Sequence, residues 1–212
     1  PREGGITGEG LEAGDVLIGL PSSGLHSNGY TLVRAVLERS GCSLGDAAPF
    51  DAEHPSREVD RFPDSSGKAS LGEVILNPTR IYVDPVVDLI MESRGEGGVC
   101  PEGSIKAIAH ITGGGLSNLL RLHGSLGWHI GEPLSAQPEF EWIAEIGSVN
   151  SKEMHRTFNM GMGMVVAVSA AAADPVAYWL EERLSGSRVV GEVVDQGRVV
   201  THSDPGVRFV RY

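Results

Sequence analysis

"IAHITGGGLSNLLRL", Ile108 to Leu122, sets an apolar run directly before three consecutive glycines and then leucines at helical spacing. Ile108, Ala109 and Ile111 read as a buried strand, while Leu116, Leu119 and Leu120 recur as one face of a helix does. Gly113, Gly114 and Gly115 free the backbone between them to turn sharply. They can also bring several N–H groups to one point, in line with the positive end of the following helix. A strand, a glycine turn and a helix form a unit of α/β architecture, and open sheets place ligands at the carboxyl ends of such strands. By itself the turn fits close packing as well as a phosphate cradle. No Lys follows the glycines as in a Walker loop, and the spacing is not a full GxGxxG. His110 sits two residues before Thr112 and is equally readable as a ligand-facing group or as a core imidazole on a backbone carbonyl.

An earlier unit has the same shape. "DVLIGL", Asp15 to Leu20, is a short aliphatic run bounded by Gly14 and Pro21, and from Tyr30 an apolar stripe through Leu32, Val33, Val36 and Leu37 runs to Ser40 and Gly41. Between them "SSGLHSNGY" crowds Ser22, Ser23, His26, Ser27, Asn28 and Tyr30 into nine residues. Ser27 or Asn28 would cap the helix, which accounts for part of the loop but not for His26 or the serine pair. A serine-nucleophile reading is disfavoured because GxSxG is absent.

Residues from about Asp46 to Ser70 carry three prolines and mixed charge without periodicity, and read as an irregular surface excursion with little chemistry. Asp84 and Pro85 are placed to open a helix closing at Gly95. "GSLGWHIGEP" reads as a strand, Phe140 to Ala144 as a short helix, and Asn150 with Glu153 as a capping box for another through His155. "HRTFNMGMGMVV" then places Arg156 and Asn159 before a strand opening on Gly161 and Gly163, alternating glycines that mark close approach of a backbone or a ligand. Arg156 is either a phosphate partner or a surface ion pair. Asp174-Pro175 opens a helix, and the tail supplies three short strands separated by turns. The expected class is α/β, α+β-like, with a mixed β-sheet flanked by helices.

Composition bounds the function. The chain has 212 residues, 41% of them hydrophobic, with 28 acidic against 17 basic residues and a formal charge of -11, which argues against a general nucleic-acid or anionic-membrane surface. Cys42 and Cys100 stand far apart without ligand spacing, so no metal site is expected and a reducing, cytoplasmic setting fits. No apolar run is long enough to span a membrane and no secretory signal is visible. "GGITGEGLEAGD" reads as the middle of something longer.

Taken in order, "GDVLIGLPSSGLHSNGYTLVR", "NPTRIYVDPV", "IKAIAHITGGGLSNLLRL" and "HRTFNMGMGMVVAV" closely resemble the C-terminal domain of the aminoimidazole ribonucleotide (AIR) synthetase family. The resemblance implies one AIR synthase-type C-terminal domain over residues 14–212, with residues 1–13 as a lead-in from an N-terminal domain that the chain lacks. It implies a cyclo-ligase closing the imidazole ring of formylglycinamidine ribonucleotide in purine biosynthesis. ATP and magnesium would be bound mainly by that other domain, and the complete protein would be a homodimer. A substrate-phosphate and ribose role is thereby carried to Gly113, Gly114, Gly115 and the His26 loop with Ser22, Ser23, His26, Ser27 and Asn28, and the polar residues beside these segments add Thr112, Arg156 and Asn159 as substrate-binding candidates. His26 and His110 become candidates for moving protons, since imidazoles near neutral pKa both take and give them. The other readings are a paralogue resembling formylglycinamidine ribonucleotide synthetase, or a noncatalytic module that binds a nucleotide metabolite.

Overall fold

In the computed structural model the described residues are 5–57, 69–94 and 97–212. Their strands are β1 (Val16–Pro21), β2 (Ile105–His110), β3 (Gly127–Ile130), β4 (Met162–Val168), β5 (Arg188–Val194), β6 (Val200–His202) and β7 (Arg208–Phe209). They form one sheet in the order β2-β4-β1-β5-β3-β6-β7. Every neighbouring pair is antiparallel except β3 with β6, so the sheet is mixed, as the α/β reading requires.

The continuous apolar runs of β1 and β4 follow from burial on both faces of the sheet. Leu17 and Val165 point into a cluster with Ile111, Leu116, Leu119 and Trp128; their neighbours Ile18 and Val166 point into another with Tyr82, Leu89, Val176 and Leu180. The second cluster is roofed by α3 (Val83–Glu92) and α6 (Ala173–Arg183). A third cluster lies among α1 (Tyr30–Ser40), α2 (Leu71–Ile75), α4 (Pro138–Gly147) and α5 (Ser151–Thr157), centred on Val33, Phe140, Ile143 and Phe158.

Several expectations are corrected. Among the described strands β2 pairs with β4 alone, at the edge of the sheet, and its burial alternates so that His110 is exposed at its end. The helix after the glycines is a 3-10 helix, Gly115–Arg121. Neither Ser27 nor Asn28 caps α1: Gly29 does, at φ 78°, and a side chain there would overlap the Phe158 ring. α3 begins at Val83, not after Asp84, because Tyr82 is anchored by its hydroxyl to Pro21 O (2.8 Å) and the chain turns helical directly behind it. It ends at Glu92, and Gly95 lies outside the described residues. Asn150 does cap α5, accepting from Glu153 N (3.0 Å). The Glu153 carboxylate accepts from Thr157 (3.3 Å) instead of turning back to close the box.

Within the excursion, residues 46–57 and 69–70 are irregular apart from a bridge between Ala47 and Ser70, and 58–68 lie outside the described residues. It is not only surface: Ser56 and Arg57 are buried beneath the polar loop. At the front, Gly8 N donates to Lys106 O (3.1 Å), and Leu11 is buried in the first cluster.

Candidate active site

The loop between β1 and α1 is held from below by its own serines and by side chains from distant segments. Gln137 Nε2 donates to Ser22 O and to Ser56 Oγ (2.6 and 2.7 Å), and Ser22 Oγ donates to Gln137 Oε1 (3.2 Å). Ser23 Oγ donates to Pro78 O (2.8 Å), and Asn77 Nδ2 donates to Ser23 O. Asn159 Nδ2 reaches Gly24 O (2.8 Å), while its Oδ1 accepts from Gly161 N (2.9 Å). Ser22, Ser23 and Asn159 are therefore buried, with their hydrogen bonds used to shape the loop. The polar groups left at its surface are Ser27, bonded to Thr79 Oγ1 (3.1 Å), and Asn28.

This scaffold holds His26 at φ 61°, an uncommon conformation for a side-chain-bearing residue. Tyr30 fixes it by donating to His26 O (3.0 Å) and Ile75 O (2.8 Å). His26, Tyr82 and His110 meet as three rings, with centroids 6.1 Å (His26 to Tyr82), 6.3 Å (His26 to His110) and 5.7 Å (Tyr82 to His110) apart. Their meeting requires Gly163, because a Cβ there would overlap Tyr82 Oη and lie 2.9 Å from His26 Cε1.

Burial, helped by the positive fields of His110 and Arg80, pushes the His26 imidazole down to about 4. It is thus neutral at pH 7. Its Nε2 accepts from Ser23 N (3.2 Å), which leaves the proton on Nδ1, and that buried N–H has no partner among the described residues. His110 is also lowered by burial, but it is exposed. One imidazole is a fixed donor and the other is free to exchange protons with solvent.

The glycine turn lies beside this group, since a Cβ on Gly113 would be 3.3 Å from Asn28 Oδ1. Its three glycines divide by role. Gly115 N–H is spent on Thr112 O (2.8 Å), and a Cβ on Gly115 would overlap His155 O, so Gly115 is the packing glycine between the turn and α5. Asn118 Nδ2 fills the carbonyls of Thr112, Gly113 and Gly115 (3.3, 3.2 and 2.8 Å). The N–H groups of Gly113 and Gly114 remain uncommitted among the described residues, with Thr112 half-buried beside them. Arg156 is exposed on α5 without an ion pair among the described residues, and no contact brings it to the rings.

Under the loop, Arg57 and Glu139 form an ion pair with side chains 1% and 0% exposed. Burial raises the Glu139 pKa, against the lowering field of Arg57. Arg57→Met should cost about 3–5 kcal/mol at pH 7 by leaving that carboxylate buried without its guanidinium. The deficit should shrink towards pH 5 as the carboxyl takes a proton; urea unfolding at both pH values checks this, and an equal deficit at each would refute it.

Composition and spacing did not nominate Tyr82, Asn77, Arg57, Gln137 or Glu139. For Asn77 and Tyr82 a signal existed, because "NPTRIY" is a polar turn of Asn, Pro and Thr leading into a helix. The other three are isolated polar residues whose importance comes only from burial.

Residues 12–204 match the family model described as AIR synthase related protein, C-terminal domain. The chain belongs to this family. It is 43% identical over 196 residues to the chloroplastic phosphoribosylformylglycinamidine cyclo-ligase of Arabidopsis thaliana, covering 90% of this chain and 43% of that protein. To the phosphoribosylformylglycinamidine cyclo-ligase of Methanopyrus kandleri it is 38% identical, covering 94% and 49%. This AIR synthase related chain thus spans about half the length of the curated relatives it matches. Its fold is also that of E. coli HypE, a hydrogenase maturation protein, at TM-score 0.52 and 21% identity over 99% of this chain and 52% of that one. Among the described residues no helix is long and apolar enough to cross a membrane.

Proposed function

We propose that this chain is the substrate-side domain of an ATP-dependent cyclo-ligase that converts formylglycinamidine ribonucleotide to aminoimidazole ribonucleotide in purine biosynthesis. The nucleotide and magnesium are carried by a second, N-terminal domain, and the complete protein works as a cytoplasmic homodimer. The names of the relatives support the reaction. The observation that carries the site is the buried Nδ1–H of His26, without a partner among the described residues, in the ring triangle with Tyr82 and His110.

Among the described residues no group of three or more carboxylates, imidazoles or thiols is placed to hold a cation, and the nucleotide with its magnesium is assigned to the other domain. The chain's own contribution is binding and proton handling. The N–H groups of Gly113 and Gly114, with Thr112, Ser27 and Asn28, face the substrate's phosphate and ribose. In an acidic chain such a ligand needs directed donors rather than a basic surface. His26 donates from Nδ1 to a substrate oxygen or nitrogen and orients it. His110 takes the proton released as the ring nitrogen bonds and returns it to solvent.

In the complete enzyme, His110→Ala should lower kcat by about 10²–10⁴-fold. His26→Ala should lower turnover and raise KM together. Steady-state assays with formylglycinamidine ribonucleotide, with and without glutamine, test both. Dependence on glutamine would overturn the reaction, and an unchanged kcat in His110→Ala would overturn the proton role.

A further inference from the structure

Away from the rings, at the carboxyl end of the 3-10 helix, an open hollow of about 640 Å³ is lined by Thr7, Glu9, Arg121, His123 and Arg198 among others. Small-molecule sites commonly have this size. The chain carries 28 acidic residues against 17 basic ones, yet neither Arg121 nor Arg198 makes an ion pair among the described residues. Arg198 directs Nε and Nη2 at Leu120 O (3.1 and 2.9 Å), which offsets the negative end of the helix and leaves Nη1 uncommitted among the described residues. The Arg121 guanidinium lies 5.0 Å from the Tyr212 ring centroid and makes no ion pair among the described residues, so its N–H fork is open to an anion.

His123 completes the set. Its Nδ1 accepts from Ser125 N (3.3 Å) and Leu126 N (3.2 Å), so the neutral ring carries its proton on Nε2 as a donor. Thr7 Oγ1 accepts from Glu9 N (3.4 Å), which leaves its own O–H to donate. Arg121, Arg198, His123 and Thr7 thus line one hollow, and among the described residues the only acidic one on its wall is Glu9.

We infer that this hollow is a second anion site, separate from the glycine turn, that takes a phosphate-bearing small molecule. Arginine forks match phosphate oxygens in bidentate fashion, and a multiply charged anion is what two such forks offset best. Glu9 sets the affinity by opposing the ligand's charge.

The test is calorimetric titration of the chain with inorganic pyrophosphate at low ionic strength, with citrate as the carboxylate counterpart. Arg121→Gln and Arg198→Gln should each weaken binding about tenfold, and Glu9→Gln should tighten it by about threefold. Arg34→Ala, on the exposed face of α1, should leave it unchanged. Because Arg198 also covers Leu120 O, melting temperatures accompany each variant, and exposed Arg121 keeps the test valid if Arg198→Gln unfolds. Pyrophosphate heats identical in wild type and Arg121→Gln would overturn the site, as would a Glu9→Gln variant that binds no tighter. Citrate binding as tight as pyrophosphate would overturn the phosphate assignment.

Discussion

Gly163→Ala should destabilise the chain by about 2–4 kcal/mol and collapse the ring triangle, although it adds only one methyl group to a strand. The added Cβ overlaps Tyr82 Oη and comes within 2.9 Å of both Tyr82 Cζ and His26 Cε1. Tyr82 cannot retreat cheaply, because its hydroxyl is bonded to Pro21 O and its ring is packed with Leu89 and Val86 under α3. His26 cannot retreat either, since Tyr30 and Ser23 fix its backbone and ring. The strain must come out as overpacking plus a broken buried hydrogen bond. Tyr82→Phe removes the overlapping oxygen and should recover part of the loss, so the two substitutions together should cost less than their sum. Urea unfolding of the two single variants and the double variant measures that coupling. Strict additivity would mean that the methyl and the hydroxyl do not meet.

The same glycine shows how far the sequence could be read. Alternating Gly161 and Gly163 at the head of an apolar run announced close approach, but not whose. The partner of Gly163 is Tyr82, about eighty positions earlier, and no periodicity links them. Elements with their own local logic were legible: the doubly buried strands β1 and β4, the helix from Tyr30, and the Asn150 cap. The site was legible as two loops, through the density of polar residues around His26 and the three glycines. What each residue does within it was not. Ser22, Ser23 and Asn159 look like ligand-facing groups in the sequence, and they turn inward, Ser22 to the Gln137 amide oxygen, Ser23 to Pro78 O and Asn159 to Gly24 O, because buried polar groups must find partners. Gly115 looks like Gly113 and Gly114, yet only Gly115 lies against the backbone of α5. α2 was missed although Ser70 and Glu73 form a reciprocal capping box, because five residues are too few to show helical periodicity.

Stability should fall as the pH drops from 6.5 to 4, and two strongly shifted imidazoles in separate parts of the fold contribute most. His26 and His202 are each pushed down to about 4. Burial is the main cause for both, followed by the charge of His110 on His26 and of His155 on His202. His202 also packs on the His155 ring at 4.8 Å. Each ring is held by accepting a backbone N–H, His26 Nε2 from Ser23 and His202 Nδ1 from Asp204 (2.9 Å). Protonating either of those nitrogens would break its bond. For His26 it would also bury a cation that has no counter-ion among the described residues. Because the folded pKa lies below the unfolded value near 6.5, the unfolded chain binds more protons throughout this window, and unfolding becomes easier as pH falls. The stabilisation is complete above 6.5 and is lost once the pH passes 4. A shift of that size corresponds to at most about 3 kcal/mol per ring, and less for His202, which is partly solvated. That is a large share of the roughly 5–15 kcal/mol of an ordinary domain. Urea midpoints followed from pH 7 to pH 4 should therefore decline, and His202→Gln should flatten the curve without touching the ring triangle. A midpoint that stays level between pH 6.5 and 4.5, or a decline of the same slope in His202→Gln, would mean that these imidazoles titrate in the folded chain as they do in the unfolded one.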